Sequence, residues 1–349
     1  YAPMMVGAVY YTLRRNMWIG AALTALFTSL EIGANHPQIT YYFAVAMAAL
    51  WISEGVYAIK ERRKVDWLKR TALLIVAGLF AVGSNFSPLW QTLQHQKETT
   101  RGGSEIAAAE GKEEGLDLDY VTHWSYGKAE SFNMLVPNYM GGASSHDYKD
   151  NPELQAEIEK AGFYGWSQYY GDQAPTAGPT YLGAAVILLA LLGLFILPHR
   201  HKWWIVAACC IALLMAWGKN IMWLTELLYD YLPLYDKFRA PATALVILQW
   251  AAPLLAAGAV AYIIKNHDTE RARLRRALYW ATGIVGGLLL IFAVGGPIFH
   301  DAGRENTQEM ITKQFGAEFE STIPDSFYDA LTEAREEALQ ADALRSLIF

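Results

Sequence analysis

Cysteine is scarce: the chain has two, Cys209 and Cys210, side by side in one apolar run. Adjacent residues of a helix point to different sides, so neither a disulfide nor a metal pair follows, and ordinary helix packing accounts for both. A basic excess is lacking too. With 28 Lys and Arg against 34 Asp and Glu the net charge is −6, which leaves no electrostatic footprint for a nucleic acid. Glycine-rich phosphate loops, dinucleotide fingerprints, zinc spacings and a Ser-His-Asp order are all missing. A soluble nucleotide donor is therefore unsupported, no cofactor is expected, and a divalent cation is not indicated.

What the chain does have is long apolar runs. Its mean hydropathy of +0.14 would suit a greasy soluble protein, but the distribution argues otherwise. The stretches YLGAAVILLALLGLFILP, WWIVAACCIALLMAWG, PATALVILQWAAPLLAAGAVAYII and LYWATGIVGGLLLIFAVGGPIF each approach or exceed the ~20 residues of a transmembrane helix. The sequence predicts an all-α, polytopic bundle of about eight spans, near 1–13, 17–33, 38–59, 67–86, 179–198, 203–218, 241–264 and 274–299. The turns at 14–15, 60–70, 199–202 and 265–276 carry more than half of the 28 Lys and Arg. They fall at every second connection, so they are assigned to the cytoplasmic side and the remaining connections to the outside.

The expected organisation is transmembrane helices over 1–87, an extracytoplasmic insertion or cap over 88–178, and helices again over 179–299. An outward helical segment over 300–349 then leads into a further span. Within the cap, 97–119 is rich in Gly, Ala and Glu without apolar period and reads as mobile chain. The rest mixes Tyr, Trp, Asn, Gly and acids as a folded binding surface would. Asn151, Pro152 and Gly162 bracket a short helix. Residues 220–232 set Met222, Trp223, Leu227 and Tyr231 near one face, as in a helix lying at the interface. The first residue lies inside an apolar run and the last few resemble the opening of another span, so a fragment of a longer protein is expected.

Candidate site residues concentrate on the outward face. Glu31 lies within a turn of the outer end of its span, followed by His36 and Gln38. An acid at that depth faces a wet cavity as a base, or is held structurally by His36 or backbone. Glu54, near the basic turn, is expected to pair with Lys or Arg. Lys237 and Arg239 stand against the charge bias, just before a span opening at Pro241. Two cations beside a helix N-terminus describe an anion site, and snorkelling pairs with Asp236 or Glu226 are the other reading. In the cap, Trp124, Tyr126, Tyr164, Trp166, Tyr169 and Tyr170 can stack on a sugar, with Lys128, Glu130, Asp172 and Gln173 as polar partners. An interfacial aromatic belt also explains many such rings. Asp172, in the glycine-flanked turn YYGDQAP, is the best base candidate.

Four stretches carry a resemblance: EIGANHPQITYY from Glu31, WSYGKAESFNMLVPNYMGG from Trp124, YYGDQAPTAGPTYLGA from Tyr169 and YLPLYDKFRAP from Tyr231. With the order of the spans they resemble the YfhO family of bacterial membrane proteins, over nearly the whole chain. That resemblance implies a GT-C-like glycosyltransferase in the bacterial inner membrane, multi-pass. Such an enzyme moves a sugar from a polyprenyl-phosphate donor in the membrane lipid to a cell-envelope glycan acceptor outside. The family's usual acid lies in the first extracytoplasmic loop, and this chain begins after that region, so no residue here takes its place. A flippase or transporter of lipid-linked glycans and a non-catalytic envelope assembly factor are the other readings. The charge pattern makes a direct prediction about topology. In sealed cells, a membrane-impermeant thiol reagent should label a cysteine placed at Ser145 and miss one placed at Lys64; the reverse pattern would overturn the orientation.

Overall fold

The structure is a computed structural model and describes residues 1–96, 116–145, 147–173, 178, 180–299 and 303–348. The stretch expected to be mobile, 97–119, lies outside the described residues apart from 116–119. Among the described residues every regular element is helical, and the only extended pairing is an isolated bridge between Asp147 and Ser167.

Three helices are long and apolar enough to cross a membrane: Pro37–Lys60, Pro241–Asn266 and Arg271–Gly295. Two further crossings exist if each bent pair is taken as one span. These are Lys64–Ser84 with Phe86–His95, bent by 70°, and His199–Ala216 with Gly218–Tyr231, bent by 106°. The described chain thus has three to five candidate spans where eight were expected, and the difference is one of length. Met17–Gly33 and Ala184–Ile196 have 17 and 13 residues. At about 1.5 Å per residue they reach roughly 20–26 Å, short of a ~30 Å hydrocarbon core. The expected cap helix is present as Pro152–Lys160, with the Asn151 side chain accepting from Leu154 N at 3.1 Å. The helix expected near the end of the chain is Asp325–Ile348.

The chain divides into two compact units, Tyr1–Ser125 with Leu197–Ala251, and Tyr126–Ile196 with Ala252–Phe349. The expected 88–178 insertion is therefore shared: its described residues up to 125 belong to the first unit and those from 126 to the second.

In the first unit, Ala2–Arg14 and Met17–Gly33 form a helical hairpin turned at Asn16, whose side chain accepts from Trp18 N and Ile19 N. The hairpin closes tightly because Gly20 has no Cβ; one placed there would come within 2.5 Å of the Thr12 backbone. Lys64–Ser84 packs on Met17–Gly33, and His199–Ala216 on Pro37–Lys60. Glu54 ties these helices together. It is buried and lies 3.1 Å from Arg14 Nε and 2.6 Å from Arg200 Nη2, while Arg200 Nη1 reaches Glu61 at 2.5 Å. The structural pairing expected for Glu54 is what the fold contains.

The second unit has two cores. Leu289 and Phe292 of Arg271–Phe299 pack with Leu339 and Ala343 of Asp325–Ile348, closed by Val136, Tyr139 and Met140 from the loop before. Leu154 and Ile158 pack with Ile311, Phe327 and Leu331, with Phe163 and Trp166 at the edge. Between them, the buried Arg335 stacks its guanidinium 4.5 Å from the Tyr170 ring centre and donates to Thr307 Oγ1 at 3.0 Å.

Removing one partner of a buried charge cluster leaves the others uncompensated and costs about 3–5 kcal/mol. Glu54→Ala should therefore lower the thermal stability of the purified protein far more than Glu61→Ala, whose carboxylate is exposed. Equal losses would show that the Glu54 cluster does not hold the first unit together.

Candidate functional site

The segment between the helix Met222–Tyr231 and the span opening at Pro241 is irregular backbone held from two sides. On one side Gln38 Nε2 donates to Arg239 O at 2.6 Å and Tyr41 OH to Pro233 O at 3.0 Å. On the other, Leu116 N donates to Asp236 O, Ala240 N to Val121 O and Ala242 N to Trp124 O. Leu234 and Ala240 sit at φ +68 and +59, a left-handed conformation that side chains disfavour. The surrounding hydrogen bonds hold both in place.

This clamp presents Arg239. Tyr120, from the short helix Leu118–Thr122, and Trp124 just beyond it lie beneath the guanidinium, with its carbon 5.7 and 5.4 Å from their ring centres. Arg239 Nη1 donates to Tyr120 OH at 2.5 Å. The side chain is exposed, and among the described residues no carboxylate meets it. Neither Asp236 nor Glu226, the acids read as alternative partners, takes it up. With Nη1 on the Tyr120 hydroxyl and two rings beside it, the guanidinium keeps the remaining donors of its fork for an anion.

Its companions differ from the expectation. Lys237 Nζ lies 2.7 Å from Asp236 Oδ2, so this cation is already neutralised by its sequence neighbour. The N-terminus of the span opens as a 3-10 turn, Pro241–Leu245. Pro241 has no N–H, Ala242 N donates to Trp124 O, and Thr243 N donates to Ala240 O at 3.0 Å. The first-turn amides expected to receive an anion are bonded within the protein, and Arg239 alone remains of that arrangement. His36 caps the helix Pro37–Lys60 through Nδ1, 3.4 Å from Ile39 N. Glu31 is buried, with Thr40 Oγ1 3.5 Å from its carboxylate. That enclosure makes it a structural acceptor rather than an open base. A cleft of about 950 Å³ lies in this unit, with Ile32, Thr40, Tyr41, Leu89, Thr92 and Phe238 among its lining residues.

The second unit assembles the other candidates around Glu130, in the 3-10 helix Ala129–Met134. Its side chain is buried, with Oε2 accepting from Gly127 N at 2.6 Å. Oε1 accepts from Tyr169 OH at 2.7 Å and from Gln173 Nε2 at 3.3 Å. Burial pushes the Glu130 carboxyl above the usual carboxylate range, against these hydrogen bonds and with help from the Asp172 charge. A Cβ on Gly171 would come within 2.4 Å of Glu130 Oε1, so only glycine admits the buried carboxyl there. A Cβ on Gly127 would meet Asp172 Oδ2 at 2.9 Å and Glu130 Oε2 at 3.0 Å, which places the two carboxyls on the same backbone spot. Asp172 itself is exposed, as is Lys128.

Several rings expected to stack on a sugar are otherwise engaged. Tyr126 is fully buried and donates to Glu130 O at 2.6 Å, and Tyr170 is buried with its hydroxyl on Tyr139 O. Trp166 packs on Phe163 and Phe327, and Trp124 lies under Arg239. Tyr164 remains wholly exposed. Sequence reasoning missed Tyr120 as the partner of Arg239 and Tyr169 as a hydrogen-bond donor to Glu130. The glycines on either side, Gly127 and Gly171, were the available signal for a carboxyl packed against backbone. Among the described residues no group of three or more His, Cys, Asp and Glu could hold a metal ion.

A carboxyl whose folded pKa is raised adds stability fully below its unfolded pKa and loses that contribution as pH rises through the folded value. Hydrogen exchange of residues 126–142, corrected for chemical exchange, should therefore show protection falling above the ordinary carboxylate range. Glu130→Gln should remove that slope; the same slope in the variant would mean that another group titrates. Comparison of the chain with protein-family models, with curated proteins and with solved structures finds no match.

Proposed function

We propose that the first unit holds the phosphate of a lipid-linked sugar and that the protein is a glycosyltransferase. It would move the sugar from a polyprenyl-phosphate donor to a cell-envelope acceptor on the extracytoplasmic side. This reading keeps the likeness to the YfhO family, with a GT-C-like arrangement of about eight spans in the bacterial inner membrane, multi-pass. The observation that carries it is Arg239: exposed, cradled on Tyr120 and Trp124, met by no carboxylate among the described residues, and fixed through its carbonyl by Gln38. Guanidinium is the side chain best shaped for bidentate phosphate contact. The next residue towards the N-terminus, Phe238, lines the cleft, whose volume is in the range of small-molecule sites.

The chemistry asked of the remaining groups is modest. The acceptor hydroxyl attacks the anomeric carbon, the bond from that carbon to the phosphate oxygen breaks, and the polyprenyl phosphate leaves with the electron pair. The hydroxyl proton goes to a carboxylate acting as general base. In the second unit Asp172 is an exposed carboxylate, and Glu130, buried beside it, orders the turn that carries it. The transporter reading has less support. Glu54 is closed into ion pairs with Arg14 and Arg200, which is not what a through-path for substrate would need.

The test separates binding from transfer. Charge-assisted contacts are worth about 1.5–3 kcal/mol each, so Arg239→Ala should weaken binding of a polyprenyl-phosphate sugar by about one to two powers of ten. Arg239→Lys should recover only part of this. Donor affinity unchanged in Arg239→Ala would overturn the phosphate assignment. Binding without any transfer by the unaltered protein would favour a carrier over an enzyme.

A further inference from the structure

The helix Phe86–Gln96 follows the candidate span Lys64–Ser84 after a single residue and turns away from it by 70°. Asn85 builds the bend. Its Nδ2 donates to Ala81 O at 3.0 Å within its own helix and to Ser29 O at 3.0 Å on the neighbouring one. The helix beyond has two unlike faces. Pro88, Leu89, Gln91, Thr92 and His95 line the cleft of the first unit. Phe86, Trp90 and Leu93, at helical spacings of four and three, are 58%, 51% and 55% exposed, with the Phe86 and Trp90 rings stacked 5.8 Å apart.

An isolated helix in water would bury that second face, yet here the apolar side points away from the protein and the more polar side towards it. The span before the bend explains the inversion. Ile75, Leu79 and Val82 are exposed at the same spacing on Lys64–Ser84, so one apolar stripe of positions 75, 79, 82, 86, 90 and 93 runs through the bend. Whatever covers the first half of the stripe reaches the second, and for a candidate membrane span that is lipid. The segment FSPLWQTLQHQ has no Lys, Arg, Asp or Glu, so apolar area and aromatic rings, not headgroup charge, determine what it contacts.

We propose that Phe86–Gln96 lies in the headgroup region of the bilayer, with the Phe86, Trp90 and Leu93 face in lipid and the Pro88, Leu89, Gln91, Thr92 and His95 face walling the cleft. The cleft then opens at the depth of the membrane surface, next to lipid rather than in bulk water. This goes beyond the phosphate assignment and does not depend on it.

The experiment uses the full chain with Cys209→Ala and Cys210→Ala, reconstituted in phosphatidylcholine vesicles. Nitroxides are attached in turn through Trp90→Cys, Leu93→Cys, Gln91→Cys and Thr92→Cys. Power saturation with oxygen, which partitions into lipid, and with a water-soluble nickel chelate reads the surroundings of each label. The oxygen-to-nickel accessibility ratio should be several-fold higher at 90 and 93 than at 91 and 92, and unchanged when anionic phosphatidylglycerol is added. Similar ratios at all four positions would overturn the proposal. So would labels at 90 and 93 shielded from both reagents, as a second copy of the chain or another segment would cause. A ratio that rises only with anionic lipid would overturn it too. The labels report on the helix whether or not Arg239 binds phosphate, so the two ideas fail separately.

Discussion

The hydrogen bond from Gln38 to the carbonyl of Arg239 is the contact on which the first unit's site depends. Apart from the 3-10 turn Tyr235–Lys237 the chain from Leu232 to Ala240 is irregular, and irregular backbone needs partners for its amides and carbonyls. Gln38 and Tyr41 supply them from the start of Pro37–Lys60, and the segment 116–124 supplies them from the other side. With the backbone held, Ala240 tolerates its left-handed conformation, Pro241 starts the next span, and Arg239 comes to rest on Tyr120 and Trp124. Loss of the Gln38 amide would leave a strained loop and an unplaced guanidinium together.

The second unit solves a different problem, the burial of a carboxyl. Glu130 is tolerated because Gly127 N, Tyr169 OH and Gln173 Nε2 all donate to it, and because glycines at 127 and 171 leave room. Desolvation still outweighs these bonds and raises its pKa. A buried carboxyl in close company with the exposed Asp172 is a pairing of the kind that separates two acids into different roles. Asp172 keeps solvent contact, and Glu130 shapes the turn.

Charges near the candidate spans follow one rule. Glu54 is surrounded by Arg14 and Arg200. Lys237 is closed by Asp236. Arg239 departs from that rule, since aromatic faces hold it in place of a carboxylate.

Local pattern made a good deal of this protein legible. Apolar runs marked it as helical and able to cross a membrane, Asn151 marked the start of a helix, and the basic turn marked Glu54 for pairing. These properties depend on residues a few positions apart. The tertiary structure decided the rest, because the deciding partners are distant in the chain. Arg239 was singled out together with Lys237, yet only Tyr120, more than a hundred residues away, distinguishes a presented cation from a paired one. The six rings read as a sugar-stacking set looked equivalent in sequence, but burial removed Tyr126 and Tyr170 from any surface. The two sharp bends after Ser84 and Ala216 were hidden as well, since a hydropathy profile records how apolar a run is and not which way its axis turns. Composition and period determined that there would be apolar helices able to cross a membrane; which side chain was presented rather than paired was determined by what each helix met.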